Sequence, residues 1–147
     1  MATIKGGDKF AKVLAEIAKQ LGEPGKVRVG LLEGSTAPNG DSLPLRAALN
    51  EFGHGTTPPR PAVRNMIAEK SPEWADAVAA NLKATNYNVP LTLERIGEGI
   101  KGQWQQAYLD LWSPPLAEST IKRKGFAKPL IDKSDMLNAV DYEVVDS

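Results

Sequence analysis

The chain contains no cysteine, which excludes disulfides, thiolate nucleophiles and Cys-ligated zinc together. It contains one histidine, His54, so a Ser-His-Asp arrangement or a His-rich metal site would have to be built on that residue alone. His54 stands between Gly53 and Gly55 in a proline-rich stretch, where no neighbouring residue holds an imidazole rigid. The expectation is a solvent-exposed or interface histidine. No apolar run approaches the roughly 18 residues of a membrane span. Lys5, Asp8, Lys9, Lys12, Glu16 and Lys19 break up the N-terminal stretch, so the hydrophobic centre of a signal peptide is missing and a soluble, cytoplasmically made protein is expected. An excess of one charge is lacking too: 18 Lys and Arg balance 18 Asp and Glu. A dedicated nucleic-acid binder carries a strong basic surplus, whereas zero net charge removes repulsion between copies of the chain.

What is present is enough for one globular domain spanning residues 1–147, 41% hydrophobic and 24% charged, with a core of its own. Phe10, Val13, Leu14, Ile17 and Leu21 recur at spacings of three and four after Asp8, a plausible N-cap. Gly22 and Pro24 follow as stop signals, with Gly22 suited to a left-handed C-terminal position. Val27, Val29 and Leu31 alternate with Arg28 and Gly30, a half-buried strand. Residues 33–44, EGSTAPNGDSLP, are rich in turn formers and contain Asn39-Gly40, so a mobile loop or protruding hairpin is expected there. Leu45, Ala48, Leu49 and Phe52 are spaced for a short helix closed by Gly53.

Residues 53–61 hold Pro58, Pro59 and Pro61 and read as an extended arm, because residues before proline avoid the α region. A helix starting near Pro61 is expected to break at Ser71-Pro72, with Trp74, Val78 and Leu82 on a second helix. Leu93, Ile96, Ile100, Trp104, Ala107 and Leu111 mark a long helix that Ser113-Pro114-Pro115 ends. A short helical turn is expected at Leu116 to Lys122, a turn capped by Ser134 runs to Ala139, and a strand carries Val140, Tyr142 and Val144. Three to four helices with a small mixed or antiparallel sheet make this an α+β domain.

Chemical motifs are scarce. Gly97-Glu98-Gly99-Ile100-Lys101-Gly102 spells a dinucleotide fingerprint, but that motif needs a strand before it and a helix starting within it. Here the glycines fall inside a helical pattern, where small residues let a neighbouring element pack closely. Asp132 with Asp135, and Glu143 with Asp146, are adjacent carboxylates without a cleft or substrate-binding aromatics; for the first pair, helix capping by Asp132 or Ser134 is the simpler role. Lys122-Arg123-Lys124 is the densest basic run, too short to bind phosphates strongly alone and suited to a solvated helix end. No cofactor or metal is expected.

Two segments in order resemble a known family. The first is Ala47-Ala48-Leu49-Asn50-Glu51-Phe52-Gly53, followed by Pro58-Pro59-Arg60-Pro61 and a helix. The second is Trp112-Ser113-Pro114-Pro115-Leu116, then Ser119 to Gly125, then Pro129-Leu130-Ile131-Asp132 and Met136-Leu137-Asn138-Ala139-Val140 with Tyr142. Together they resemble the neck and tail-completion (virion-morphogenesis) proteins of long-tailed bacteriophages, over about residues 27–145. The sequence departs from the family pattern at Ala62, Lys133-Ser134 and Ala139.

The resemblance implies a non-enzymatic virion protein that forms a homo-oligomeric ring of six or twelve copies at the head–tail connector. Portal-adaptor or head-closure proteins would lie on one face and tail-tube or tail-terminator proteins on the other, with genomic DNA passing through. A tail-terminator ring and a non-virion phage assembly factor stay open as alternatives. Glu51, Phe52, His54, Pro58, Pro59 and Arg60 are the candidate subunit contacts, with charge reversal at Arg60 expected to block assembly and leave the monomer folded. Lys122, Arg123 and Lys124 are the candidates for facing the channel or an acidic neighbour.

Overall fold

A two-residue alternation recurs near each end of the sequence, and the two stretches that carry it pair with each other. In the computed structural model, which describes residues 7–22, 25–111, 118–125 and 134–146, the element order is α1 (Gly7–Leu21), β1 (Lys26–Leu31), α2 (Leu43–Phe52), α3 (Ala62–Ala84), α4 (Val89–Asp110), α5 (Glu118–Lys124), α6 (Asp135–Ala139) and β2 (Val140–Val145). β1 and β2 run antiparallel in a register from Lys26 opposite Val145 to Leu31 opposite Val140. The α+β class expected from the sequence is therefore what forms, with a two-stranded antiparallel sheet and six helices among the described residues.

A two-stranded sheet is not stable alone, and α4 covers it. Gly97 makes the close approach possible. A Cβ there would stand 2.5 Å from Tyr142 Cδ2 and 2.8 Å from Val27 Cγ2, so the glycine-rich hexapeptide is a packing site inside a helix, as its position in the periodicity predicts. Gly99 and Gly102 face open space. α4 begins at Asn88, whose side chain accepts the Leu91 N–H at 3.0 Å, a standard N-cap with Pro90 in the first turn.

α3 runs back along α4, pinned by the Trp74 indole N–H donating to Gln103 Oε1 at 2.9 Å. The expected break at Ser71-Pro72 does not occur: α3 is continuous over 23 residues with Pro72 inside it. Pro72 cannot donate to the Ala68 carbonyl, at a cost of about 3 kcal/mol, but packing on α4 before and after it keeps both halves in line. The turn between the two helices is held by the Thr85 and Thr92 hydroxyls, 2.8 Å apart and buried, with the Thr92 hydroxyl also donating to the Asn88 carbonyl at 2.7 Å. Asn86 and Tyr87 sit there at φ 52° and 63°.

The core is small. Ala37, Leu43, Ala62, Tyr108, Met136 and Val140 are buried together, with Leu31, Val63, Trp104 and Leu137 packed around them. Of the mobile loop or protruding hairpin expected at 33–44, a tight hairpin turn forms, closed by an antiparallel bridge between Thr36 and Ser42 and anchored in that core by Ala37 and Leu43. The Ala37 N–H donates to the Asp41 carbonyl and the Gly40 N–H to the Ala37 carbonyl, both at 2.9 Å. Gly40 takes the positive φ of 86° that the Asn39-Gly40 signal predicts. Ser42 then caps α2 through the Leu45 N–H. At α6, Ser134 makes no capping hydrogen bond and lies at φ 60°, so its expected capping role is absent. Gly22 likewise ends α1 by donating to the Ala18 carbonyl at 3.0 Å rather than by a left-handed turn. The Ser113-Pro114-Pro115 stop, Asp132 and the Pro129 to Asp132 motif lie outside the described residues.

Candidate functional site

The first of the two segments on which the resemblance rests, residues 47–53 with 58–61, forms the corner between α2 and α3. Glu51, 9% exposed, points its carboxylate at the first turn of α3, accepting the Val63 N–H at 3.1 Å and the Arg64 N–H at 2.9 Å. Pro61, the N-cap residue of α3, supplies no side-chain cap. Glu51 thus serves as a cap contributed by another helix, satisfying donors that the helix leaves open and placing negative charge at its positive end. Arg64 closes the arrangement, donating from Nε to Glu51 Oε1 at 3.2 Å and from Nη2 to the Glu51 carbonyl at 2.9 Å. Its guanidinium also lies 4.9 Å from the centre of the Phe52 ring.

The 53–61 segment is doubled back, not extended. Gly53 turns at φ 75° where a Cβ would meet Pro59 N and Thr57 O at 2.8 Å. His54 and Thr57 exchange backbone hydrogen bonds at 3.1 and 2.8 Å, and the Arg60 N–H returns to the Asn50 carbonyl at 2.7 Å. His54, Pro58 and Pro59 are exposed on this turn, and Phe52 is 66% exposed. Arg60 is 6% exposed. Reversing its charge would bury a carboxylate where a guanidinium now sits, so that substitution strikes the fold of the single chain before it can report on assembly. Lys122 and Arg123 are exposed on α5, away from the corner in the sequence and without a described contact to it; the Lys124 side chain lies outside the described set.

The most distinctive surface is on the other side of α2. Leu43, Ala47 and Glu51 turn inward, while Leu45, Leu49 and Phe52 are 59%, 36% and 66% exposed. The apolar stripe that marks this helix in the sequence therefore faces solvent, and a weaker stripe containing a glutamate faces the core. Glu51 explains the rotation, since only this orientation brings its carboxylate to α3. Beside the stripe lies a mostly apolar groove of about 310 Å³, lined by Leu31, Pro44, Ala47, Val63, Trp104 and Tyr108, rimmed by Ala48 and Phe52, with the Glu51–Arg64 ion pair on its wall. Burial pushes the Tyr108 hydroxyl above its ordinary pKa of 10, an effect that the nearby Trp104 indole partly opposes, although the indole N–H itself forms no well-aligned hydrogen bond. A second cavity of about 290 Å³ between α3 and α4 is lined by polar groups including Glu69, Lys70, Gln103 and Asp110. Among the described residues no three His, Asp or Glu side chains converge as metal ligands.

The second distinctive surface is α1. None of its residues is buried, and Phe10, Val13, Leu14 and Leu21 are 66%, 56%, 49% and 47% exposed. Its far end touches the body through Gln20, whose amide, oriented to donate, reaches the Asn86 and Tyr87 carbonyls at 2.7 and 3.2 Å. Sequence periodicity locates both stripes but not the direction they face. The available signal was Glu51 itself, an acidic residue on the opposite face of α2 from Leu45, Leu49 and Phe52. No protein-family model, curated protein or solved structure matches the chain.

Proposed function

We propose that this chain is a structural subunit of a long-tailed phage neck, forming a ring at the head–tail connector that joins the portal-adaptor side to the tail and lets DNA pass. The observation that carries this reading is the outward-facing apolar stripe of α2 with its groove. A monomeric protein with a core this small gains by turning Leu45, Leu49 and Phe52 inward; leaving them out is favourable when another surface covers them. The exposed α1 face and the zero net charge support self-association in the same way. The order of the Asn50-Glu51-Phe52-Gly53, Pro58 to Pro61 and Met136 to Tyr142 segments supplies the phage context.

Ring formation needs one surface to match a different surface on the next copy, and this chain carries two distinct apolar surfaces. The exposed Lys122 and Arg123 suit a channel wall or an acidic neighbour under this reading. The test is quantitative mass spectrometry of purified tailed particles made in cells expressing the chain, with electron microscopy of their connector. The expected result is the protein at ring stoichiometry at the neck. Its absence from finished particles overturns the reading and favours an assembly factor, and its presence as a cap on the tail tube itself, with a separate neck ring above it, favours a terminator.

A further inference from the structure

We infer that α1 of one copy docks into the groove beside α2 of another, a knob-and-hole contact in which Phe10 is the knob. The inference deepens the ring reading by naming its two mating surfaces. The donor is a 15-residue helix, about 22 Å long, held to the body towards its C-terminal end, at Gln20 and the half-buried Ile17. The acceptor is the 310 Å³ groove and the continuous stripe of Leu45, Leu49 and Phe52, roughly 10 Å of helix at the same rise per residue. A groove of that volume admits a phenylalanine side chain with room to spare.

The C-terminal end of α1 and the groove sit at opposite ends of α4. Gly25, which follows α1, lies against Leu93 near the start of that helix, whereas the groove is floored by Trp104 and Tyr108 near its end. Fifteen residues separate Leu93 from Tyr108, about 22 Å along the axis. Surfaces so placed favour a heterologous, head-to-tail contact, the kind that closes into a ring or propagates as a filament. A reciprocal two-fold dimer, with α1 of each copy in the groove of the other, also covers both surfaces, so the mass of the wild-type assembly decides between a dimer and a ring.

The area is sufficient. The seven exposed side chains of the two stripes present on the order of 700 Å² of apolar surface, scaled from roughly 150–250 Å² for a whole aromatic. Full burial of these side chains together with about 300 Å² of helix backbone and flanking groups would reach the roughly 1,000 Å² that a specific interface needs. Each copy in a closed ring makes the contact twice, once as donor and once as acceptor. A large exposed aromatic opposite an apolar pocket is also where binding energy concentrates in interfaces.

The experiment uses the full chain and two variants, Phe10→Glu and Leu45→Glu. Both positions are more than half exposed, so circular dichroism and thermal midpoint of the monomer should stay at the wild-type values. Light scattering coupled to size exclusion should show concentration-dependent assembly of the wild type and monomers for each variant alone. Mixing the variants should restore one contact and stop there, because the intact groove of Phe10→Glu accepts the intact α1 of Leu45→Glu. A 1:1 heterodimer is therefore the expected product. Pairing of α1 with α1 would leave Leu45→Glu dimeric, and pairing of α2 with α2 would leave Phe10→Glu dimeric; either result, a mixture that stays monomeric, or a wild type that never associates overturns the inference. A wild type that forms rings while the mixture fails overturns the docking alone, and absence from finished particles overturns the neck reading alone.

Discussion

Replacing Glu51 by alanine tests the claim that a residue of α2 caps α3. The substitution removes the acceptor for the Val63 and Arg64 N–H groups and for Arg64 Nε. Loss of a helix cap costs about 1 kcal/mol and up to about 2, and each lost hydrogen bond to a charged group about 1.5–3 kcal/mol where water cannot replace it. The Arg64 side chain is 54% exposed, so its ion pair adds little beyond that. With the carboxylate itself nearly buried, the net expectation is a loss of about 3 kcal/mol, which at this chain length lowers the thermal midpoint by about 6–12 °C. Urea unfolding followed by circular dichroism measures it. Glu51→Gln keeps the shape and one acceptor oxygen and should lose about half as much. If Glu51→Ala unfolds within 0.5 kcal/mol of wild type, α3 does not depend on this cap, and the explanation for the outward rotation of α2 fails with it.

Three further substitutions probe the packing. Gly97→Ala should destabilise by about 1–2 kcal/mol, the overpacking against Tyr142 and Val27 exceeding the gain in helix propensity, while Gly99→Ala and Gly102→Ala, with open space around them, should stabilise by up to about 1 kcal/mol; equal effects at the three positions in urea titrations would refute the close approach at Gly97. Pro72→Ala restores a donor within α3 and should raise the thermal midpoint by about 4–8 °C, for a gain of about 2 kcal/mol, and a lower midpoint would show that α3 needs its proline. The raised pKa of Tyr108 makes its contribution to stability complete below pH 10 and lost as pH rises through the folded-state value. Tyr108→Phe should therefore flatten the alkaline limb of a stability profile measured by urea unfolding above pH 10, and an unchanged limb would place the hydroxyl in water.

Much of the fold was legible because it rests on local periodicity. The strands at Val27 to Leu31 and Val140 to Val144, the long helix through Trp104 and the glycine packing site follow from apolar spacing alone. The rest depends on distant partners. Pro72 is a correct stop signal in an isolated helix, and only α4, arriving from later in the sequence, overrides it. The 33–44 segment has the composition of a free loop, yet Ala37 and Leu43 are apolar enough to be drawn into the core. The 53–61 segment has prolines that favour extension, but the Gly53 and Gly55 conformations and the Arg60–Asn50 hydrogen bond fold it back.

The candidate site was half legible for a different reason. The phage-like motif residues are mostly those with specific geometry to satisfy: a carboxylate aimed at a helix end, a glycine at positive φ, a proline against it. Such tasks demand particular residue types, which stand out in a sequence even when the task is internal, as it is for Glu51 and Gly53. A docking stripe makes a looser demand. Leu45, Leu49 and Phe52 need only be apolar and correctly spaced, a condition also met by any core-facing helix, so nothing in their identity announces that they face outward. The corner supplies the missing information. Because Glu51 must reach α3, the orientation of α2 is set by the motif, and that orientation carries the anonymous stripe to the surface. On the proposed reading the recognisable residues bear on assembly by aiming a helix, and the residues that would touch a neighbouring copy are the ones a motif search passes over.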